Sequence, residues 1–219
     1  MYSIKGAILD IDGTLLDSMH IWNHVAEDYL ISMGITPRPD LNEELLGIGG
    51  HEIPKYFKVE YGVPGTLDDI TRGIYQLLED YYFHKAELKA GVFDLLDGLS
   101  ERGIKMVVAT ATERHLMEPA LARCGIAKYF LRIFTCREER TSKSNPDIYI
   151  RAADYLGTEI ENTLVFEDAP YAVKSAKEAG FPVVGVYDSA SEEYVEEIKS
   201  LSDYYFYSLP EIDIERILK

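Results

Sequence analysis

Gly6-Ala7-Ile8-Leu9-Asp10-Ile11-Asp12-Gly13-Thr14-Leu15 is the stretch on which the fold turns. The run from Gly6 to Ile11 has the length and β-branched content of a strand buried on both faces, as in a parallel sheet. Four more runs share that character: Lys105 to Ala111, Leu131 to Cys136, Thr163 to Phe166 and Pro182 to Tyr187. Helix-like stretches follow them, with polar openings at Thr112-Glu113 and Asn145-Pro146 and stops at Gly125, Gly157 and Gly180. Strands alternating with helices imply an α/β fold, and right-handed crossovers make a Rossmann-like parallel sheet the economical assembly. The aromatic run Tyr204-Tyr205-Phe206-Tyr207, set among acidic residues, is expected to be a short last strand rather than a stacking platform.

One segment breaks the rhythm. Between the first strand and the rest lie helix-like stretches near Ser18 to Met33, Asn42 to Leu46, His51 to Tyr61 and Leu67 to His84, with no convincing strand. This divides the chain into a core of residues 1–15 and 90–219 and a helical insertion of residues 16–89, a cap hinged near Leu15-Leu16 and Lys85-Ala90.

At 219 residues and 47% hydrophobic, the chain buries a core without disulfides. No apolar run approaches the ~18 residues of a membrane span. Its 38 acidic against 22 basic residues give a net charge of −16, which repels nucleic acid and anionic membranes. The N-terminus lacks the marks of a secretory or transit segment, so a cytoplasmic location is expected. Cys124 and Cys136, twelve positions apart, match no short zinc or redox spacing and read as free, largely buried thiols. Nothing in the sequence sets the oligomeric state.

In an open parallel sheet, ligands bind beyond the carboxyl ends of the strands. Asp10 and Asp12, at i and i+2, leave the first strand on one side, and Gly13 permits a sharp turn after them. An isolated Asp-x-Asp is commonly only a turn. Here, polar residues recur at other strand ends: Thr110 closes Met106 to Ala109, Lys143 follows Cys136, and Glu167-Asp168 close Leu164 to Phe166. A hydroxyl, an ammonium group and two carboxylate pairs around one point equip a site for phosphoryl transfer with a hard divalent cation, Mg²⁺. Four carboxylates against one ammonium would repel a phosphate dianion, and a divalent cation brings the sum near −1.

In that order, Asp10-x-Asp12-Gly13-Thr14, Thr110, Lys143 and Glu167-Asp168 resemble the four motifs of the haloacid dehalogenase superfamily. The helical insertion resembles the type 1 cap of its β-phosphoglucomutase-like phosphatase subgroup. The resemblance covers essentially the whole chain. It implies that Asp10 attacks phosphorus to form an aspartyl-phosphate, and that Asp12 protonates the leaving oxygen and later activates water. It implies Mg²⁺ held by Asp10, the Asp12 carbonyl and Asp168, with Glu167 direct, through water, or as a partner of Lys143. Thr110, Ala111 and Lys143 are expected to contact the phosphoryl group. In the cap, His20, Trp22 and His51, with the Gly47 to Gly50 loop, are expected to meet a small phosphorylated metabolite such as a sugar phosphate.

The chain departs from the family pattern in three places. It reads Lys143-Ser144-Asn145-Pro146 where Lys-Pro-x-Pro is usual, Ala169 where Ser or Thr is common, and Ala172 where Gly is common. Haloacid dehalogenation is disfavoured because those relatives lack a counterpart of Asp12. A sugar-phosphate mutase is a closer rival, but Leu46-Gly47-Ile48-Gly49-Gly50-His51 offers no basic residue, and Trp22 stands where mutases carry a histidine. A phosphonate hydrolase would need Lys55 or Lys58 desolvated, and a non-catalytic regulator has little need of a nucleophile. His20 and His24, at i and i+4, lack a third zinc ligand and read as helix-surface residues.

Overall fold

The computed structural model describes residues 3–45, 48, 50 and 52–219. In chain order, its main elements begin with β1 (Gly6–Leu9), β2 (Leu16–Asp17), α1 (Met19–Ser32), α2 (Leu41–Leu45), α3 (Ile53–Glu60), α4 (Leu67–His84) and β3 (Glu87–Leu88). Then come α5 (Val92–Glu101), β4 (Lys105–Thr110), α6 (Arg114–Arg123), β5 (Phe130–Thr135), α7 (Cys136–Glu139) and α8 (Asp147–Leu156). The chain closes with β6 (Thr163–Glu167), α9 (Pro170–Glu178), β7 (Val183–Val186), α10 (Val195–Leu201), β8 (Tyr204–Phe206) and α11 (Ile214–Ile217).

Six strands form one sheet in the order β5-β4-β1-β6-β7-β8, every neighbouring pair parallel. Numbered among themselves these strands run 3-2-1-4-5-6, the doubly wound order, whose direction of winding reverses between β1 and β6. The α/β, Rossmann-like expectation therefore holds. Register places Leu9 opposite Val108 on one side and Phe166 on the other, so Asp10, one residue beyond, emerges at the reversal point. β1 ends two residues short of the expected Ile11, although the Asp10 N–H still donates to the Phe166 carbonyl at 3.1 Å. Cys136 opens α7 rather than closing β5. Both cysteines are free and half-buried, less enclosed than expected.

The chain divides into two compact units, Met1–Met19 with Ala86–Lys219, and His20–Lys85. The first holds the sheet. Its core includes Ile8, Val107, Phe134, Tyr149, Val165 and Phe181. The second is helical, and its core gathers Tyr29, Leu30, Leu41, Phe57, Val63 and Ile70. Tyr29 stacks on Phe57 with centroids 5.9 Å apart, and a capping box of Thr66 and Asp69 opens α4. The expectation of no strand between residues 16 and 88 fails: Leu16–Asp17 and Glu87–Leu88 pair antiparallel, Leu16 with Leu88 and Asp17 with Glu87. This ribbon packs with the first unit, which is why the helical unit lies inside the expected 16–89. Among the described residues, no helix is long and apolar enough to cross a membrane.

Candidate active site

The sheet unit brings Asp10, Lys143, Glu167 and Asp168 together from the ends of β1 and β6 and from the turn before α8. All four are buried, each 5% exposed or less. Lys143 Nζ pairs with Asp10 Oδ1 and lies 2.6 Å from Glu167 Oε1. Asp10, Glu167 and Asp168 each offer an oxygen to a group whose donor atoms all lie within 4.8 Å of one another. Thr14 donates to Asp168 Oδ1 at 3.2 Å.

Three buried carboxylates with one ammonium leave the group electronegative. Burial lifts the Asp10 carboxyl to about 6; Lys143 opposes the rise and the Glu167 charge adds to it. Burial, then the Asp10 and Glu167 charges, push the Asp168 carboxyl well above the usual range. Burial pulls the Lys143 ammonium down, but the Asp10 and Glu167 carboxylates outweigh it and its pKa rises, so it stays charged. Glu167 Oε2 is buried and lacks a hydrogen-bond partner. An orphaned carboxylate oxygen beside two carboxylates disfavoured as anions is a donor set that suits a hard, oxygen-seeking cation.

Asp12 is held separately. Ser18 donates to its Oδ1 and Thr112 to its Oδ2, each at 2.6 Å. Thr110, 1% exposed, accepts the Thr112 N–H at 3.1 Å, which leaves its own proton to donate elsewhere. Ala111 follows directly at the end of β4. The turn carrying Lys143 is tied despite Ser144: the Asn145 N–H donates to the Ser142 carbonyl at 3.0 Å, and Asn145 Oδ1 accepts the Asp147 N–H at 3.0 Å. Ala169, at the N-cap of α9, supplies no side-chain cap, and Ala172 is fully buried.

In the helical unit, His20 meets Tyr81 edge-on at 5.0 Å and Trp22 Nε1 donates to the Tyr82 hydroxyl at 2.8 Å. His24 lies 3.6 Å from Glu27, and Lys58 donates to the Gly65 carbonyl. His51, Gly47 and Gly49 fall outside the described residues. Ser18 and Thr112 were read from the sequence only as helix openings, and Tyr149, whose hydroxyl donates to Glu167 Oε1 at 2.8 Å, was not singled out at all. Thr14 stood inside the quoted motif, but its bond to Asp168 could not be read from spacing.

The model of the haloacid dehalogenase-like hydrolase family matches residues 7–186, from β1 through β7. The chain belongs to that family. A phosphorylated carbohydrates phosphatase of Thermotoga maritima is 24% identical over 194 residues, 86% of this hydrolase and 88% of the relative. A (DL)-glycerol-3-phosphatase of Arabidopsis thaliana is 30% identical over 85% of this chain and 65% of its own. The crystal structure of CbbY from Rhodobacter sphaeroides in complex with phosphate superposes with a TM-score of 0.79 at 23% identity, covering 98% of this chain and 99% of that one. The expectation of a phosphatase of the haloacid dehalogenase type agrees with these findings.

Proposed function

We propose that this hydrolase is a Mg²⁺-dependent phosphomonoesterase acting on a small phosphorylated metabolite, a sugar phosphate or similar ester, through a phosphorylated Asp10. The observation that carries the reading is the buried group of Asp10, Lys143, Glu167 and Asp168 at the point where the sheet reverses its winding. Asp10, Asp168, Glu167 and the Asp12 carbonyl would hold the cation. When bound, Mg²⁺ supplies positive charge that offsets the carboxylates and polarises a phosphoryl oxygen.

An Asp10 oxygen forms the new bond to phosphorus as the ester P–O bond breaks. Lys143, fixed in charge and position by two carboxylates, steadies Asp10 and faces the phosphoryl oxygens as a cation. Thr110, its lone pair engaged by the Thr112 N–H, donates its proton to the same group. Asp12, aimed by Ser18 and Thr112, gives its proton to the leaving alcohol oxygen. It then takes one from the water that releases inorganic phosphate and restores Asp10. Substrate choice is assigned to His20, Trp22 and His51 of the inserted segment, on the strength of the sequence resemblance.

The test is phosphate release from a panel of sugar phosphates, nucleotides and p-nitrophenyl phosphate, in Mg²⁺ or EDTA, beside Asp10→Asn. Release that needs Mg²⁺ and is absent from Asp10→Asn is the expected result. No release above the Asp10→Asn background would overturn the proposal.

A further inference from the structure

Tyr149 has no part in the chemistry above, yet it touches the site. It is fully buried on α8, edge-on to Phe181 with centroids 6.2 Å apart. Its hydroxyl donates to Glu167 Oε1 at 2.8 Å, and the same oxygen lies 2.6 Å from Lys143 Nζ. A carboxylate oxygen has two lone pairs, so these two donors fill Oε1. Glu167 Oε2, equally buried, has no partner, while Glu167 shares with Asp10 and Asp168 the group of oxygens within 4.8 Å of one another.

Were Lys143 the only donor, the carboxylate could turn to give either oxygen, or both, to the ammonium. A phenol fixed by a packed ring removes that freedom, because its direction is set by the core and not by the site. We propose that Tyr149 is a positioning residue for the divalent cation: with Lys143 it occupies Glu167 Oε1, and so reserves Glu167 Oε2 for the cation, directly or through a bound water. The inference rests on the metal-dependent reading above. Packing alone does not explain the hydroxyl, since a phenylalanine fills nearly the same space.

The experiment is Mg²⁺ titration calorimetry on the purified protein without substrate, comparing wild type with Tyr149→Phe, with melting curves in EDTA to establish that both are folded. Partners that orient a ligand typically govern affinity by 10- to 100-fold, so Tyr149→Phe is expected to bind Mg²⁺ about tenfold more weakly. Tyr149→Met, smaller but likewise without a hydroxyl, is expected to bind as weakly. In a Glu167→Gln background, Tyr149→Phe is expected to change affinity less than about twofold, because the orientation it controls no longer matters. A purely structural tyrosine would lower the melting temperature and leave Mg²⁺ affinity within about twofold of wild type, which overturns the inference, as does a wild type that binds no Mg²⁺. Tight, Tyr149-dependent Mg²⁺ binding in a protein that hydrolyses no phosphate ester would sink the proposed function and leave this inference standing.

Discussion

Gly13 shows how little room the acidic residues leave. Its φ is +81°, and a β-carbon there would stand 2.3 Å from Asp168 Oδ2. Gly13→Ala is expected to cost at least about 1–2 kcal/mol for the left-handed backbone alone. It also displaces Asp168, so denaturant melts and Mg²⁺ affinity should fall together. The buried carboxylates set the response to pH. Asp10 titrates near 6 when folded against an ordinary 3.8, so the metal-free folded chain binds protons more tightly than the unfolded one. Stability in EDTA should therefore fall as pH rises from about 4 to about 6, by on the order of 3 kcal/mol for this group, with Asp168, whose carboxyl is also held above the usual range, adding a fall of the same sign. With saturating Mg²⁺ that slope should flatten, because the cation favours the ionised carboxylates. Asp168→Asn replaces a carboxyl whose ionisation burial and its neighbours disfavour, so it is expected to raise the melting temperature in EDTA increasingly as pH rises, while weakening Mg²⁺ binding. Asp10, Glu167 and Asp168 were legible in the sequence because charge at the end of an apolar run is conspicuous; Lys143, in the turn before α8, has no such run before it and took its reading from the acidic set it completes. Ser18, Thr112 and Tyr149 were not: a hydroxyl has no signature until packing brings it to a partner, and Thr112 meets Asp12 across a hundred residues.

Among the elements, the sheet strands were legible because burial on both faces demands unbroken apolar runs, and the helix ends because glycine marks them: Gly125, Gly157 and Gly180 all adopt positive φ. The β2–β3 ribbon was not, since two residues per strand are too few for any periodicity to register. Strand ends were legible to within a residue or two, because the ladder stops where the last partner does. Helix α4 opens with a reciprocal cap, Asp69 N–H to Thr66 Oγ1 at 3.1 Å and Thr66 N–H to Asp69 Oδ2 at 2.9 Å. Thr66→Ala is expected to lower stability by about 1 kcal/mol, read from denaturant melts. Edge strand β5 is guarded: Arg114 Nη2 donates to its Ile133 carbonyl at 2.8 Å, and the Arg132 guanidinium lies 4.4 Å from the Phe134 ring centre. Charged groups so placed discourage pairing with another strand.

Over the whole molecule, a net charge of −16 opposes the approach of any phosphate ester. Raising NaCl from about 20 to about 200 mM shortens the screening length severalfold, so kcat/KM for a dianionic substrate at saturating Mg²⁺ is expected to rise about two- to fivefold. A fall would mean that local positive charge outweighs the overall field. The division into two compact units also gives the ribbon a meaning beyond its size. The chain that departs at Asp17 returns at Glu87 as its antiparallel neighbour, so the excursion begins and ends at one spot, about 5 Å across. A segment joined in that way is a graft: it can lengthen, shorten or be exchanged while β1 keeps its register against β4 and β6, and the acidic residues stay where the ladder holds them.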